Sequence, residues 1–288
     1  MMNYNSIWLS ENSNAYEFSA DAVFSSYHRN GEKMEFPQFM VIVKGNGKNI
    51  LVDTGIDPSD PEIAAYCAMY GFQNAHSPAY VLDRIGLKPE DIDAVILTHV
   101  HWDHMGALGC YPNAQIYVQK REVQKWIEIL ALPERYSHIW GAASATLMSK
   151  LIALMAEHRV TLLDGDVDNL FPGIHIRSAF DSHTPGSQFV VIENGTDTFV
   201  STGDVSYVME NLFGVDEKGK FIPNGFASGD VLSIMKTMDR ILACAGHDPN
   251  KIIAIHDSGL WSKYKGVVDA DGLHLLEVCL APDETSKL

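Results

Sequence analysis

Ten consecutive residues, Leu97-Thr98-His99-Val100-His101-Trp102-Asp103-His104-Met105-Gly106, concentrate the coordinating chemistry of this chain. Three imidazoles and a carboxylate stand between His99 and His104. Imidazole nitrogens and carboxylate oxygens are the ordinary ligands of zinc and similar divalent ions, at roughly 2.0–2.2 Å. The preceding Ala94-Val95-Ile96-Leu97 is a short apolar run, the pattern of a strand buried on both faces. If extended geometry carries through it, His99 and His101 project to the same side. The turn that follows then aims Asp103 and His104 at a neighbouring point. Two ligand pairs aimed at two nearby points are what a binuclear metal centre requires. A lone histidine is more often a core or surface residue, but three in an HxHxDH spacing after an apolar strand are not. The remaining histidines, among them His28, His76, His138, His158, His175, His247 and His274, lack such a context and read as ordinary surface or core residues.

The elements that must hold this segment are legible in part. Phe39 to Val43 and Asn49 to Val52 are β-rich runs joined through Gly45-Asn46-Gly47, a hairpin signal because Asn-Gly tolerates positive φ. Asp53-Thr54-Gly55 closes the second run. Pro61 to Tyr70 and Ala79 to Ile85 read as helices, the latter ending at Gly86. Gln115 to Gln119 reads as a strand and Arg121 to Leu130 as a helix. Apolar and small residues continue at helical spacing from Leu132 to His158, so a helical insertion is expected around 121–158. Gly173 to Ala179, Gln188 to Glu193, Thr198 to Ser201 and Ile252 to Ile255 read as strands, and Ser228 to Cys244 as a helix. Strands dominate each half with helices between them, which suggests an α/β fold of two mixed sheets packed together with helices outside. With no repeat or low-complexity linker, residues 1–288 read as one domain.

Composition narrows the partners. A formal charge of −16 repels phosphate backbones and argues against nucleic acid. Four scattered cysteines, Cys67, Cys110, Cys244 and Cys279, match no CxxC pattern and read as idle thiols of a reducing compartment. The first residues lack the basic and apolar regions of a signal peptide. No apolar run approaches the ~20 residues of a spanning helix. The expected setting is cytoplasmic, without membrane association, and a homodimer built on the aromatic N-terminal segments is one oligomeric option.

The HxHxDH segment resembles the signature of the metallo-β-lactamase superfamily. That resemblance implies an αββα sandwich with its metal ligands along one edge of the two sheets. It asks for a third histidine, a bridging aspartate and a last histidine, each at a strand end. His183, in His183-Thr184-Pro185-Gly186, Asp204, in Ser201-Thr202-Gly203-Asp204, and His256 answer in turn. The implied ligands of two divalent ions are therefore His99, His101, Asp103, His104, His183, Asp204 and His256. Zinc is the expected metal, with manganese, iron and cobalt also suited to such ligands. In proteins it resembles, an aspartate at the position of Asp53 fixes a ligand histidine without touching metal; a turn-capping aspartate is the equal alternative.

Fold alone does not settle the reaction. Both ligand sets are intact, unlike in the one-iron sulfur dioxygenases, and His101 is not the glutamate of the diiron flavoproteins. Tyr207, three residues after Asp204, resembles the tyrosine of the N-acyl homoserine lactonases, although a packing tyrosine is the plainer alternative. The resemblance implies a lactone ring opened by a hydroxide that bridges the metals, with Tyr207 helping to hold the oxyanion and Asp103 carrying the proton to the leaving oxygen. A thioester hydrolase resembling glyoxalase II, holding an anionic substrate through Lys251, Lys263 and Lys265, is the enzymatic rival. Cyclic amide or imide hydrolysis and a non-catalytic metal-dependent sensor are the others. Phe24 to Phe39 and Ala131 to Met155 are the expected pocket walls, with Trp102, Met105, Phe213, Phe226 and Trp261 as further candidates beside a reading as plain core.

Overall fold

The computed structural model describes residues 2–25, 29–215 and 219–288. Its strands are β1 (Asn5–Ser19), β2 (Lys33–Gly45), β3 (Lys48–Val52), β4 (Ala94–Ile96), β5 (Gln115–Gln119), β6 (Val160–Leu163), β7 (Val167–Phe171), β8 (Ile174–Ser178), β9 (Gln188–Asn194), β10 (Asp197–Ser201), β11 (Ile252–Ile253), β12 (Lys265–Val268) and β13 (His274–Cys279). The helices are α1 (Ala20–Val23), α2 (Pro61–Tyr70), α3 (Pro78–Asp83), α4 (Trp102–Met105), α5 (Lys120–Leu130), α6 (Ala145–Ala156), α7 (Met209–Phe213), α8 (Val231–Cys244) and α9 (Leu260–Lys263). One sheet runs β12-β13-β1-β2-β3-β4-β5-β6 and the other β11-β10-β9-β8-β7. Both are mixed: β3 to β6 pair parallel while β1, β2 and β13 pair antiparallel, and β11 joins β10 in parallel beside an antiparallel β7-β8-β9 meander.

Side-chain alternation along the strands builds four layers. Phe39, Val41 and Val43 of β2 face Ile176, Val190 and Ile192 of the second sheet, in a core between the sheets. Their neighbours Met40 and Ile42 turn the other way, onto Ile63, Val81 and Leu82 of α2 and α3. The outer face of the second sheet, through Phe189, Val191 and Val200, is covered by Ile234, Met238 and Ile241 of α8. This is the expected helix–sheet–sheet–helix sandwich.

Differences from the sequence reading are local. The helical stretch expected around 121–158 forms α5, a 3₁₀ turn and α6, and it is the crossover between the parallel strands β5 and β6. Helix α8 starts at Val231, where Asp230 accepts the backbone N–H of Ser233, instead of at Ser228. Strand β4 stops at Ile96, so the chain has left the sheet before His99. The long β1 was not foreseen. Its stretch Ser10-Glu11-Asn12-Ser13-Asn14 is polar yet buried, and its pairing with β2 slips between Glu11 and Ser13, which erases the alternation that marks a strand. Among the described residues, no helix is long and apolar enough to cross a membrane.

Candidate metal centre and pocket

The seven candidate ligands come from four strand ends. His99 and His101 lie in the loop after β4, Asp103 and His104 in α4, His183 beyond β8, Asp204 beyond β10 and His256 beyond β11. They converge on two groups, each with coordinating atoms within 4.8 Å of one another: His99, His101, His183 and Asp204, and Asp103, His104, His256 and Asp204. Asp204 is common to both, and its two oxygens are divided between them. Oδ2 lies 3.6 Å from His99 Nε2 and 3.5 Å from His183 Nε2, while Oδ1 lies 3.2 Å from His104 Nε2 and 3.3 Å from His256 Nε2. Asp103 Oδ2 closes the second group, 3.6 Å from His104 Nε2 and 3.8 Å from His256 Nε2.

The outward nitrogens of three rings are tied, which fixes what the inward ones can do. His104 Nδ1 donates to Asp53 Oδ2 at 2.8 Å, and His256 Nδ1 donates to the Pro37 carbonyl at 2.9 Å. His99 Nδ1 lies 2.9 Å from Thr98 Oγ1, whose own proton goes to Asp53 Oδ2 at 2.8 Å. With Nδ1 as donor, a ring in its neutral form presents a bare Nε2. Those three Nε2 atoms and Asp204 Oδ1 are buried with no hydrogen-bond partner, an arrangement that costs stability unless something binds them. His101 Nδ1 and His183 Nε2 face each other at 3.0 Å. Bare imidazole nitrogens around a shared carboxylate are a donor set for two divalent cations.

The electrostatics agree. Burial pushes His99 and His101 well below the ordinary histidine range, and His183 down to about 4, so all three are neutral at neutral pH, the form in which an imidazole can ligate a cation. Burial also opposes charge on His104, yet Asp204, Asp103 and Asp53 together lift it well above the ordinary range. That acidic field is one that a bound cation answers. Asp204, despite burial, is held well below the usual carboxylate range by His104 and His256.

Two close backbone approaches shape the loops. A side chain at Gly186 would put Cβ 2.1 Å from the Glu122 backbone nitrogen, and one at Gly203, where φ is +51°, would put it 2.9 Å from Thr98 Cβ. Glu122 itself is fully buried and accepts four hydrogen bonds. Val100 N (3.2 Å) and Trp126 Nε1 (2.9 Å) donate to Oε1, and Thr184 Oγ1 (2.8 Å) and Gly186 N (2.7 Å) to Oε2. One carboxylate thus ties the His99–His104 loop, the His183 loop and α5 together. Sequence reading missed it, because glutamate in a helix normally faces water. The available signal was its place beside Val123 and four before Trp126, on the helix's buried face.

Asp53 accepts from Thr98 N (2.7 Å) and Thr98 Oγ1 as well as His104 Nδ1, with its own φ at +65°. A non-glycine residue in that region carries backbone strain that the surroundings must overcome. It is at once a turn aspartate and a hydrogen-bond partner of the candidate ligand His104.

A cavity of about 600 Å³ opens over the centre, lined by Asp103, Asp204, His101 and His256 and walled by Phe18, Phe36, Tyr70, Phe72, Trp102, Tyr207 and Phe226. Tyr207 is buried, its ring 5.6 Å from that of His183 and 5.7 Å from that of His256. Burial, then Asp204 and Asp103, push its phenol well above the ordinary range, so it keeps its proton. Trp102 and Phe226 line the cavity as considered; of the expected Phe24–Phe39 wall only Phe36 does so among the described residues, and of the Ala131–Met155 wall Ser137, His138, Ile139, Gly141 and Ala142 do. Three candidates do not. Met105 is buried in the helix-side core, Phe213 packs in the layer under α8, and Trp261 stacks on His274 at 4.3 Å. Phe18, Tyr70 and Phe72 were missed because β1 and the end of α2 carried no sign of facing the site. His138 also lines the cavity, unlike His76, paired with Asp271, and His175, paired with Asp168 and Glu193. His28 lies outside the described residues.

The chain is 26% identical over 221 residues to an N-acyl homoserine lactonase of Bacillus cereus, covering 74% of this chain and 79% of that one. It is 24% identical over 249 residues to N-acyl homoserine lactonase AttM of Azorhizobium caulinodans, covering 82% and 88%. Among solved structures, the dizinc quorum-quenching lactonase AidC, in complex with a hexanoyl-homoserine product, shares the fold at a TM-score of 0.64 and 17% identity, over 99% of this chain and 97% of that one. Residues 34–256, from β2 to the last of the clustered histidines, match the family model of the metallo-beta-lactamase superfamily, and the chain belongs to that superfamily.

Proposed function

We propose that this chain is a lactone hydrolase that works with two divalent metal ions, zinc in the resident form, held by the seven clustered side chains. Bound there, the ions would supply Lewis-acid polarisation of a carbonyl and lower the pKa of a water to near neutrality. The chain's own residues do the rest. His99, His101 and His183 are neutral, the His99 ring is oriented by Thr98, and Asp204 faces both ligand groups. The protonated Tyr207 phenol lines the cavity beside the centre and can donate to a carbonyl oxygen as charge develops on it. One well-placed donor of that kind contributes roughly 3 kcal/mol to a transition state. Burial raises the Asp103 carboxyl above its ordinary value, which suits a side chain that must take a proton and return it to the leaving oxygen.

The observation that carries the lactone reading over its thioester rival is the wall of the cavity. It is aromatic, and among the described residues lining it there is no lysine or arginine to hold an anionic glutathione group. The basic residues considered for that task are spent elsewhere: Lys251 pairs with Asp197 at 2.7 Å, and Lys263 donates to the Ile252 carbonyl at 2.6 Å. Lys265 lies on the edge strand β12. Two relatives are named N-acyl homoserine lactonases, and one structural neighbour holds the ring-opened product of such a lactone. Neutral lactones bearing an apolar acyl chain or an aromatic ring are the substrates that fit.

The test is a metal count followed by proton release from acyl homoserine lactones of several chain lengths, an aromatic lactone and an acyl-glutathione thioester. Lactones should turn over, and Tyr207→Phe should lower kcat by about 100- to 1,000-fold, on the scale of one lost oxyanion donor, with both metals retained. Turnover of the thioester alone, or of nothing, sinks the reading.

A further inference from the structure

We infer that the two halves of the metal centre are braced by different parts of the fold, and that Gln38 of β2 is a positioning residue for the half formed by Asp103 and His256. Three consecutive residues of β2 reach the two ligands. The Phe36 ring stacks on the His256 imidazole at 4.2 Å and 10°. The Pro37 carbonyl takes the His256 Nδ1 proton, and Phe39 N donates to the Ile255 carbonyl at 3.4 Å, just ahead of that histidine. Gln38 Nε2 donates to the main-chain carbonyl of Asp103 at 2.8 Å, and its own orientation is set by Ser13 Oγ, which donates to Gln38 Oε1 at 3.0 Å.

The other half has a different support. Glu122 holds Val100, between His99 and His101, and both Thr184 and Gly186 beside His183. No hydrogen bond from Phe36, Pro37 or Gln38 to that group appears among the described residues. Asp53 and Thr98 join the halves, since they hold His104 and His99 together. Helix α4 has only four residues, so most of its carbonyls have no partner within it, and Gln38 takes one that Asp103 exposes. Removing that donor frees Asp103 to tilt while leaving His99, His101 and His183 in place. Gln38 is 2% exposed and absent from the cavity wall, so its loss acts on the metal site and not on the substrate. Partners that orient metal ligands typically contribute 10- to 100-fold in affinity.

The experiment loads purified full-length protein with zinc and titrates it against a chromophoric chelator, which reads the two affinities separately, with cobalt spectra as a second signal. Gln38→Leu should keep the tighter or looser affinity assigned to His99, His101 and His183 unchanged and weaken the other by about tenfold or more. That assignment comes from a His183→Ala control, which removes a ligand of one half alone. Ser13→Ala, which only frees the Gln38 amide, should move the same affinity by a smaller factor and guards against a fold defect in Gln38→Leu. Equal loss at both sites, or no loss at either, overturns the inference. Neither readout involves a substrate, so the result stands apart from the lactone reading.

Discussion

Glu122 offers a sharp test of how the His183 loop is held, because charge and hydrogen bonding pull in opposite directions there. Burial raises its carboxyl from an ordinary 4.5 to about 6, against the pull of Thr184, Gly186, Val100 and Trp126. At about 1.4 kcal/mol per tenfold, that shift makes the ionised form about 2 kcal/mol less favourable in the folded state. A raised pKa means that the folded chain holds the proton more tightly than the unfolded one. The associated stability is full below about 4.5 and falls away as pH rises through about 6. Glu122→Gln cannot titrate, so the difference in stability between it and the parent should drift with pH. About 1 kcal/mol of that drift falls between pH 5 and pH 8, with glutamine relatively worse on the acid side.

Hydrogen bonding sets the offset. Three of the four partners are N–H groups and can only donate, so a carboxylate suits all of them and an amide does not. Whichever way the glutamine turns, its NH₂ meets the N–H of Gly186 or those of Val100 and Trp126. A lost hydrogen bond to a charged acceptor is worth roughly 1.5–3 kcal/mol, close to the charge penalty relieved. Near pH 8 the glutamine variant should therefore lie within about 1 kcal/mol of the parent. Glu122→Ala instead strips acceptors from three buried N–H groups at roughly 1–3 kcal/mol each, so it should be destabilised by more than about 3 kcal/mol at every pH. Urea unfolding of the three proteins at several pH values, with chelator present throughout to remove metal linkage, decides it. A parent-to-glutamine difference that stays flat with pH, or an alanine variant as stable as the glutamine, would refute the reasoning.

Two further outcomes follow from the same geometry. Asp53→Asn turns an acceptor of three hydrogen bonds into a group with an NH₂ facing Thr98 or His104; zinc affinity should fall by about tenfold or more, with the far-ultraviolet circular dichroism unchanged. Gly186→Ala drives Cβ into the backbone of Glu122, so the His183 loop must move. Metal content should drop below two per chain, and unfolding should shift by at least about 2 kcal/mol, whereas a variant with full metal content would show that the loop yields cheaply.

What could be read in the sequence, and what could not, divides along the range of the forces involved. The residues converging on the centre were legible because coordination demands particular side-chain chemistry, and His99 to His104 supply four such groups side by side. The hairpin at Gly45-Asn46-Gly47 was legible for the same local reason. The supports were not. Pro37 contributes a carbonyl that every residue possesses, and Gln38 is one glutamine among polar residues of a strand. Glu122 has the sequence context of a solvated carboxylate until the fold closes over it. Strand β1 fails differently: its middle is buried but polar, so the rule that equates burial with apolar side chains reads it as loop. Phe18 and Phe72 depend on that strand and on the end of α2, and the aromatic wall could not be drawn without them.

The charge of the chain and the charge of the site then answer one another. Asp103, Asp204 and Asp53 bring three carboxylates to a buried centre, a burden that two divalent ions outweigh by a single charge. The centre would therefore be weakly positive inside a chain of formal charge −16. On the lactone reading, ring opening converts a neutral substrate into a carboxylate. A neutral substrate meets no barrier at the mouth, where Asp21 is the only charged side chain among the described lining residues outside the metal ligands and histidines. The product, once it leaves the local field of the centre, passes Asp21 and meets the net negative field of the chain, which favours its release. A permanently anionic substrate would meet the same field on the way in. The acidity that looks like a mere solubility device in the composition thus favours, at this cavity, a reaction in which negative charge is made and not brought.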